Sequence, residues 1–308
     1  VKRVLSLDGG GIRGVIPAKL LEHLESLTGV PCAKQFDLIV GTSTGGILAA
    51  LLACGFPAKE ASALYVSEGS IIFTRSQRDF IFDHFHIVGA KFGAAGIEGV
   101  LQNHFGTRTL ASATTHLMIS SFDLVKNDAH FFKSWEAKGE LMWEVARATS
   151  AAPTYFPPFH SLIDGAVACN DPAMCAYAEA LQLWPGEQTS VVSLGTGSHV
   201  DSSVSARFSG DIGWAAKIPG VLLTASMGMV SYQAQRIIAA GHYTRIQPTL
   251  GTVCPDLDNA SAENIAALIS TAQGSFPAIE ELAKKLRPDK VIEQVEALKL
   301  PTPLTGSQ

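Results

Sequence analysis

Charge is scarce in this chain. Only 17% of its 308 residues are Asp, Glu, Lys or Arg, against 47% that are hydrophobic, and a chain of that balance buries a core and does not stay disordered. The little charge present leans acidic, with 23 Lys and Arg against 28 Asp and Glu and a formal net charge of -5. This argues against a nucleic-acid binder, which presents a basic face, and gives no overall attraction to anionic membranes. Any lipid contact has to be local and apolar. Cysteine is sparse too. Cys32, Cys54, Cys169, Cys175 and Cys254 are odd in number and contain no C-x-x-C pair, so neither a disulfide framework nor a zinc site is suggested. Free thiols in a reducing compartment are the expected state. Linkers, repeats and low-complexity tracts are missing as well, and the sequence opens on a strand-like run with no signal peptide in view. The expectation is one large α/β domain over residues 1–308, soluble and cytoplasmic, with a mainly helical part from 201 to 308.

No charged residue falls between Leu38 and Ala58, a length that could span a bilayer. A polar turn, Gly41-Thr42-Ser43-Thr44-Gly45-Gly46, interrupts it and divides it into a buried strand (Phe36 to Val40) and a buried helix (Ile47 to Cys54). A G-x-S-x-G at such a junction has the form of a nucleophile elbow, which lifts a serine hydroxyl above a sheet at a helix N-terminus. The same residues could equally make a turn in which Ser43 only caps the helix.

The chain begins with a strand, Arg3 to Leu7, then Asp8-Gly9-Gly10-Gly11-Ile12-Arg13-Gly14. A helix is expected next, because Val15, Ile16, Leu20, Leu21, Leu24 and Leu27 recur at three- and four-residue spacing up to Gly29. This βαβα opening favours a parallel sheet with helices on its faces. Gly9, Gly11 and Gly14 also fit the dinucleotide fingerprint G-x-G-x-x-G. That fingerprint wants an acidic residue at the end of the second strand, where Gly41-Thr42-Ser43 stands instead. The other use of the glycines is a nest of backbone N–H groups that binds an anion, reinforced by the helix N-terminus and by Arg13. Beside a serine nucleophile such a nest is an oxyanion hole.

Further on, a helix is expected over Pro57 to Phe73, and then irregular structure over 77–97 whose aromatics Phe80, Phe82, Phe85 and Phe92 pack inside. Strands follow at His116 to Leu124 and Ala129 to Trp135, a helix at Leu141 to Ala148, and a proline-broken loop at Ser150 to Phe159. The short run Leu162-Ile163 leads to Asp164-Gly165-Ala166, a carboxylate expected at the same sheet edge as the first two turns. Asp171-Pro172 starts a helix, Val191 to Leu194 and His242 to Ile246 are strands, and long helical patterns run over 212–240 and 261–299. A serine needs a base. The order Ser43, Asp164 and then His199 or His242 would satisfy a conventional Ser-Asp-His triad.

Asp8 to Gly14, Gly41 to Gly46 and Asp164 to Ala166, in this order and spacing, resemble the three signature motifs of the patatin-like phospholipases. Ala148 to Pro158 is similar to the segment before that family's aspartate, and the resemblance covers about residues 3–200. It implies a three-layer α/β/α fold with a mostly parallel central sheet. It also implies a lipid acyl hydrolase with Ser43 as nucleophile and Asp164 as base, in a dyad without histidine. The backbone of Gly9, Gly10 and Gly11 with Arg13 would form the oxyanion hole, supported by Asp8, Gly14, Gly41, Gly45, Gly165 and Ala166. No metal or other cofactor is required. The substrate would be a phospholipid or galactolipid ester met at a membrane or micelle surface. Two positions depart from the pattern: Ala166 stands where many members have Gly, and Asn170-Asp171-Pro172 where Asn-Asn-Pro is familiar.

Overall fold

The computed structural model describes residues 1–73, 90–199 and 218–287. Among them a seven-stranded sheet forms the centre. Its strands are β1 (Lys2–Leu7), β2 (Leu38–Gly41), β3 (His116–Asp123), β4 (Asp128–Lys133), β5 (Leu162–Asp164), β6 (Thr189–Leu194) and β7 (Tyr243–Ile246). Their order is β4-β3-β2-β1-β6-β7, with β5 joined to β3. The five from β3 to β7 along this path are parallel, while β4 and β5 are antiparallel to β3.

Side chains alternate across the sheet with the period of two that a strand imposes. Leu5, Leu7, Ile39, Leu117, Ile119, Val192 and Leu194 enter one core, and Val4, Leu38, Val40, Met118 and Val191 enter another. Both faces are therefore covered, which is why these strands read as continuous apolar runs. On the first face lie α1 (Val15–Thr28), α2 (Thr44–Ala53), α3 (Ala58–Ile72), α4 (Ala94–Phe105) and α5 (Met142–Thr149). The second face carries α6 (Ala173–Leu183) and α7 (Ile218–Ile237), and α8 (Ala262–Gln273) and α9 (Phe276–Leu286) return to the first. The arrangement is thus the expected α/β/α layering. Every residue of α2 is buried, which accounts for the uncharged stretch from Leu38 to Ala58. Among the described residues no helix is long and apolar enough to cross a membrane.

Two sequence expectations need correction. Residues 94–97, expected to be irregular, open α4, whose glycines Gly96 and Gly99 weaken the helical signal. The single pattern over 261–299 is two helices, α8 and α9, separated at Gly274 and Ser275, and its part beyond 287 lies outside the described residues. Phe80, Phe82 and Phe85, and the part of the 212–240 helix before Ile218, lie outside them as well. Phe92 is buried against Phe73 and Phe156, as the inward reading of that aromatic cluster predicts.

The position of β5 sets up the site. β2 pairs with β3 up to Gly41 opposite Ile119, and β4 takes the other side of β3. β5 therefore continues on the β2 side, with Asp164 opposite Ser121. The two strands meet end to end along β3, and both C-termini point into one gap beside Ser120. Asp164 does lie at the edge expected from the sequence, but it arrives on a strand running the opposite way.

Candidate active site

At the end of β2 the chain turns sharply into α2, and Ser43 occupies the turn with φ 54 and ψ -124. A non-glycine residue there carries backbone strain of about 1–3 kcal/mol. The turn closes because small residues flank it: a Cβ on Gly41 would lie 2.2 Å from the Gly45 carbonyl, and one on Gly45 would lie 2.3 Å from the Leu7 carbonyl. Thr149, at the end of α5, accepts the Ser43 N–H through Oγ1 at 2.8 Å. The Ser43 side chain makes no cap bond to α2. Its hydroxyl instead donates to Asp164 Oδ2 at 2.6 Å, so Ser43 is not a simple helix cap.

Thr149 was invisible to sequence reading. Replacing it with Val keeps the shape and removes the acceptor, stranding a buried N–H at a strained residue. The expected outcome is a loss of about 1–3 kcal/mol in stability, read by denaturant unfolding, with Thr149→Ser restoring most of it.

Asp164 is buried. Its second oxygen, Oδ1, accepts the Ala166 N–H at 2.7 Å, which fixes the carboxylate plane. Burial pushes its pKa up to about 6, against the opposing pull of the Ser43 hydroxyl and the Ala166 N–H. The result is a carboxylate of higher proton affinity than a free one, touching a serine hydroxyl. Gly165 is required by space: a Cβ there would lie 2.2 Å from Ser120 Oγ, and Ser120 in turn is bonded to Thr42 Oγ1 at 2.7 Å.

The glycine loop after β1 forms the third wall. A Cβ on Gly9 would come within 3.2 Å of Ser43 Cβ, which places the loop directly against the nucleophile. Its N–H donates to the Asn170 carbonyl at 3.1 Å, and its carbonyl accepts Thr196 Oγ1 at 2.8 Å. Ile12 N–H donates to the Leu257 carbonyl at 2.8 Å and Arg13 N–H to the Gly10 carbonyl at 3.2 Å. Among the described residues these bonds leave the N–H groups of Gly10 and Gly11 free for a ligand. Gly14 ends the single helical turn from Gly11 and leads into α1. Arg13 is largely enclosed, its Nε 3.5 Å from the Gly10 carbonyl, and burial draws its pKa down.

Asp8 anchors this loop from below. Its fully buried carboxylate receives Arg245 Nη1 at 2.8 Å and Nη2 at 2.5 Å. Arg245 Nη1 also reaches Ser193 Oγ at 2.7 Å and lies 3.4 Å from Asp171 Oδ2. One cation from β7 therefore sits between two buried carboxylates. Burial and the Asp171 charge push the Asp8 pKa up, and the two carboxylates hold Arg245 above its usual range. Asp171, at the departure from Asn-Asn-Pro, also accepts the Ala173 N–H at 3.0 Å at the start of α6.

The histidines of the alternative triad are placed elsewhere. His242 precedes β7, level with Ser190 and so with Arg3 at the start of β1, at the opposite sheet edge from Ser43. His199 is exposed beyond the end of β6. Neither is a partner of Ser43 or Asp164, whose polar atoms bond one another, Thr149 and Ala166.

A family profile described as Patatin-like phospholipase matches residues 5–177. Patatin-T5 of Solanum tuberosum is 32% identical, with 96% of this chain and 87% of that protein covered. Patatin-like protein 2 of Arabidopsis thaliana is 31% identical over 92% of this chain and 83% of its own. Patatin-3-Kuras 1 of Solanum tuberosum, named as a probable inactive member, is 31% identical over 88% of this chain and 85% of its own. These matches extend past residue 200, where the resemblance read from the sequence ends, and with the profile they show that the chain belongs to the patatin-like phospholipase family.

Proposed function

We propose that this chain hydrolyses acyl esters of phospholipids or galactolipids through a Ser43 acyl-enzyme, with Asp164 as general base. The observation that carries the reading is the 2.6 Å hydrogen bond from Ser43 Oγ to Asp164 Oδ2 inside a buried, glycine-walled gap. As Oγ attacks the ester carbonyl, its proton passes to Asp164 and the carbonyl oxygen becomes an oxyanion. Gly10 and Gly11 N–H groups stabilise it, with the Arg13 charge nearby, at about 10²–10³ in rate per donor. Asp164 then returns the proton to the departing alcohol oxygen. Water repeats the sequence on the acyl-enzyme and releases the fatty acid. No step needs a histidine, which favours the dyad over a triad.

The test is fatty-acid release from mixed phospholipid and galactolipid substrates, followed by mass spectrometry across pH. The base must be ionised to accept a proton, so kcat/KM is expected to rise with pH through about 6 and to level above it. A profile with its half-point near the free-aspartate value, or one that falls on the alkaline side of neutrality, speaks against Asp164 as the base.

A further inference from the structure

Helix α7 is apolar on two opposite sides. Leu223, Met227, Val230, Ala234 and the following Ile238 turn inward, and Val230, Ala234 and Ile238 pack in the second core. Opposite them stand Val221 at 53% exposure, Leu222 at 63%, Met229 at 58% and Tyr232 at 60%, at spacings that keep all four on one stripe of a helix with 3.6 residues per turn. From Ile218 to Gln235 the helix has no Asp, Glu, Lys, Arg or His. Uncharged polar residues, Thr224, Ser226, Gln233 and Gln235, separate the two sides, and a second apolar stripe on a helix whose first already packs in the core is surface that water does not favour.

Its location supplies the occupant. α7 packs against the helical turn Ala166–Cys169 that follows Asp164, and Met227 Sδ accepts Asn170 Nδ2 at 2.9 Å. Asn170 is the residue whose carbonyl holds Gly9. Val167 on that turn is itself 51% exposed, so an exposed apolar side chain stands three residues after Asp164, on the turn that α7 packs against. At the far end Arg236 lies 5.6 Å over the Tyr232 ring, an aromatic and cationic pairing suited to the headgroup level of a bilayer.

We infer that the Val221, Leu222, Met229 and Tyr232 stripe of α7, with Val167, is the surface by which this protein docks on a lipid bilayer and brings the dyad to its substrate. This rests on the acyl-lipid reading of the site and names the element that delivers it. The docking is apolar and does not depend on charge, in keeping with the net charge of -5, and it proceeds on zwitterionic lipid and withstands salt.

The test uses the full chain, phosphatidylcholine vesicles and a water-soluble short-chain nitrophenyl ester. Wild type is expected to sediment with the vesicles equally at low and high salt. The double variant Leu222→Asp, Met229→Asp should lose vesicle binding and vesicle hydrolysis by about tenfold or more, while the soluble ester is cleaved within about twofold of wild type. A second variant, Leu222→Trp, should bind at least as well and show a blue-shifted tryptophan emission with vesicles beyond that of wild type. Equal vesicle binding by wild type and the double variant overturns the inference. So does wild type that leaves vesicles alone, or that forms a dimer dissolved by the two aspartates. Failure of the acyl-hydrolase reading is separate: wild type then cleaves neither ester while vesicle binding still follows α7.

Discussion

Ser43→Ala and Asp164→Asn are each expected to lower ester hydrolysis by about 10³–10⁴-fold or more, while His199→Ala and His242→Ala stay within about twofold of wild type. The two dyad variants remove different halves of one event. Without Oγ no acyl-enzyme forms. Without a carboxylate the hydroxyl keeps its proton as it attacks, because Asp164 Oδ2 is its acceptor at 2.6 Å. Double replacement should cost little more than either single one, since the two residues act as a unit.

Asp164→Asn carries a second expectation with the opposite sign. The native carboxylate has its pKa raised to about 6 from 3.8, so the folded state binds more protons than the unfolded one between those values. That contribution to stability is present in full below the unfolded pKa and lost as pH rises through about 6. Above it, the buried negative charge is a cost. The Asn variant should therefore be inactive yet more stable at pH 8 by on the order of 1–2 kcal/mol, with the difference shrinking towards pH 4. Denaturant unfolding at both pH values reads it.

Arg245→Met should have the largest effect on the fold. The guanidinium holds Asp8 through two bonds and lies 3.4 Å from Asp171, and both carboxylates are buried. Removing the cation leaves two buried carboxyl groups without their shared partner, so that Asp8 must take up a proton or stay charged without solvent, a loss of about 3–5 kcal/mol and, for a chain of this size, about 10 °C or more in Tm. Because Asp8 follows β1 directly, where the glycine loop begins, activity should fall at temperatures where the variant is still folded. Asp8→Asn in the Arg245→Met background should recover part of the loss, and calorimetry of the four-member cycle measures the coupling.

What the sequence disclosed follows from how far each partner lies along the chain. The elbow, the glycine loop and Asp164-Gly165 are local patterns, because the turns that present them demand small residues beside one polar one. Strand runs were readable since both sheet faces are covered. Arg245 was not, as it meets Asp8 across 237 residues, and an arginine in a short strand announces no such partner. Thr149 was hidden in the same way, at 106 residues from Ser43, and so was the contact of Asn170, itself a visible motif position, with Gly9 across 161 residues. The direction of β5 depends on pairing with β3 rather than on anything in Leu162-Ile163-Asp164.

The most direct test of the Ser43–Asp164 account is peptide mapping after exposure to a fluorophosphonate probe, which phosphonylates an activated serine and leaves ordinary ones alone. The account predicts a single adduct, on the peptide containing Ser43, formed far more slowly in Asp164→Asn. An unlabelled Ser43 under conditions that label a control serine hydrolase, or an adduct on another serine, would contradict it.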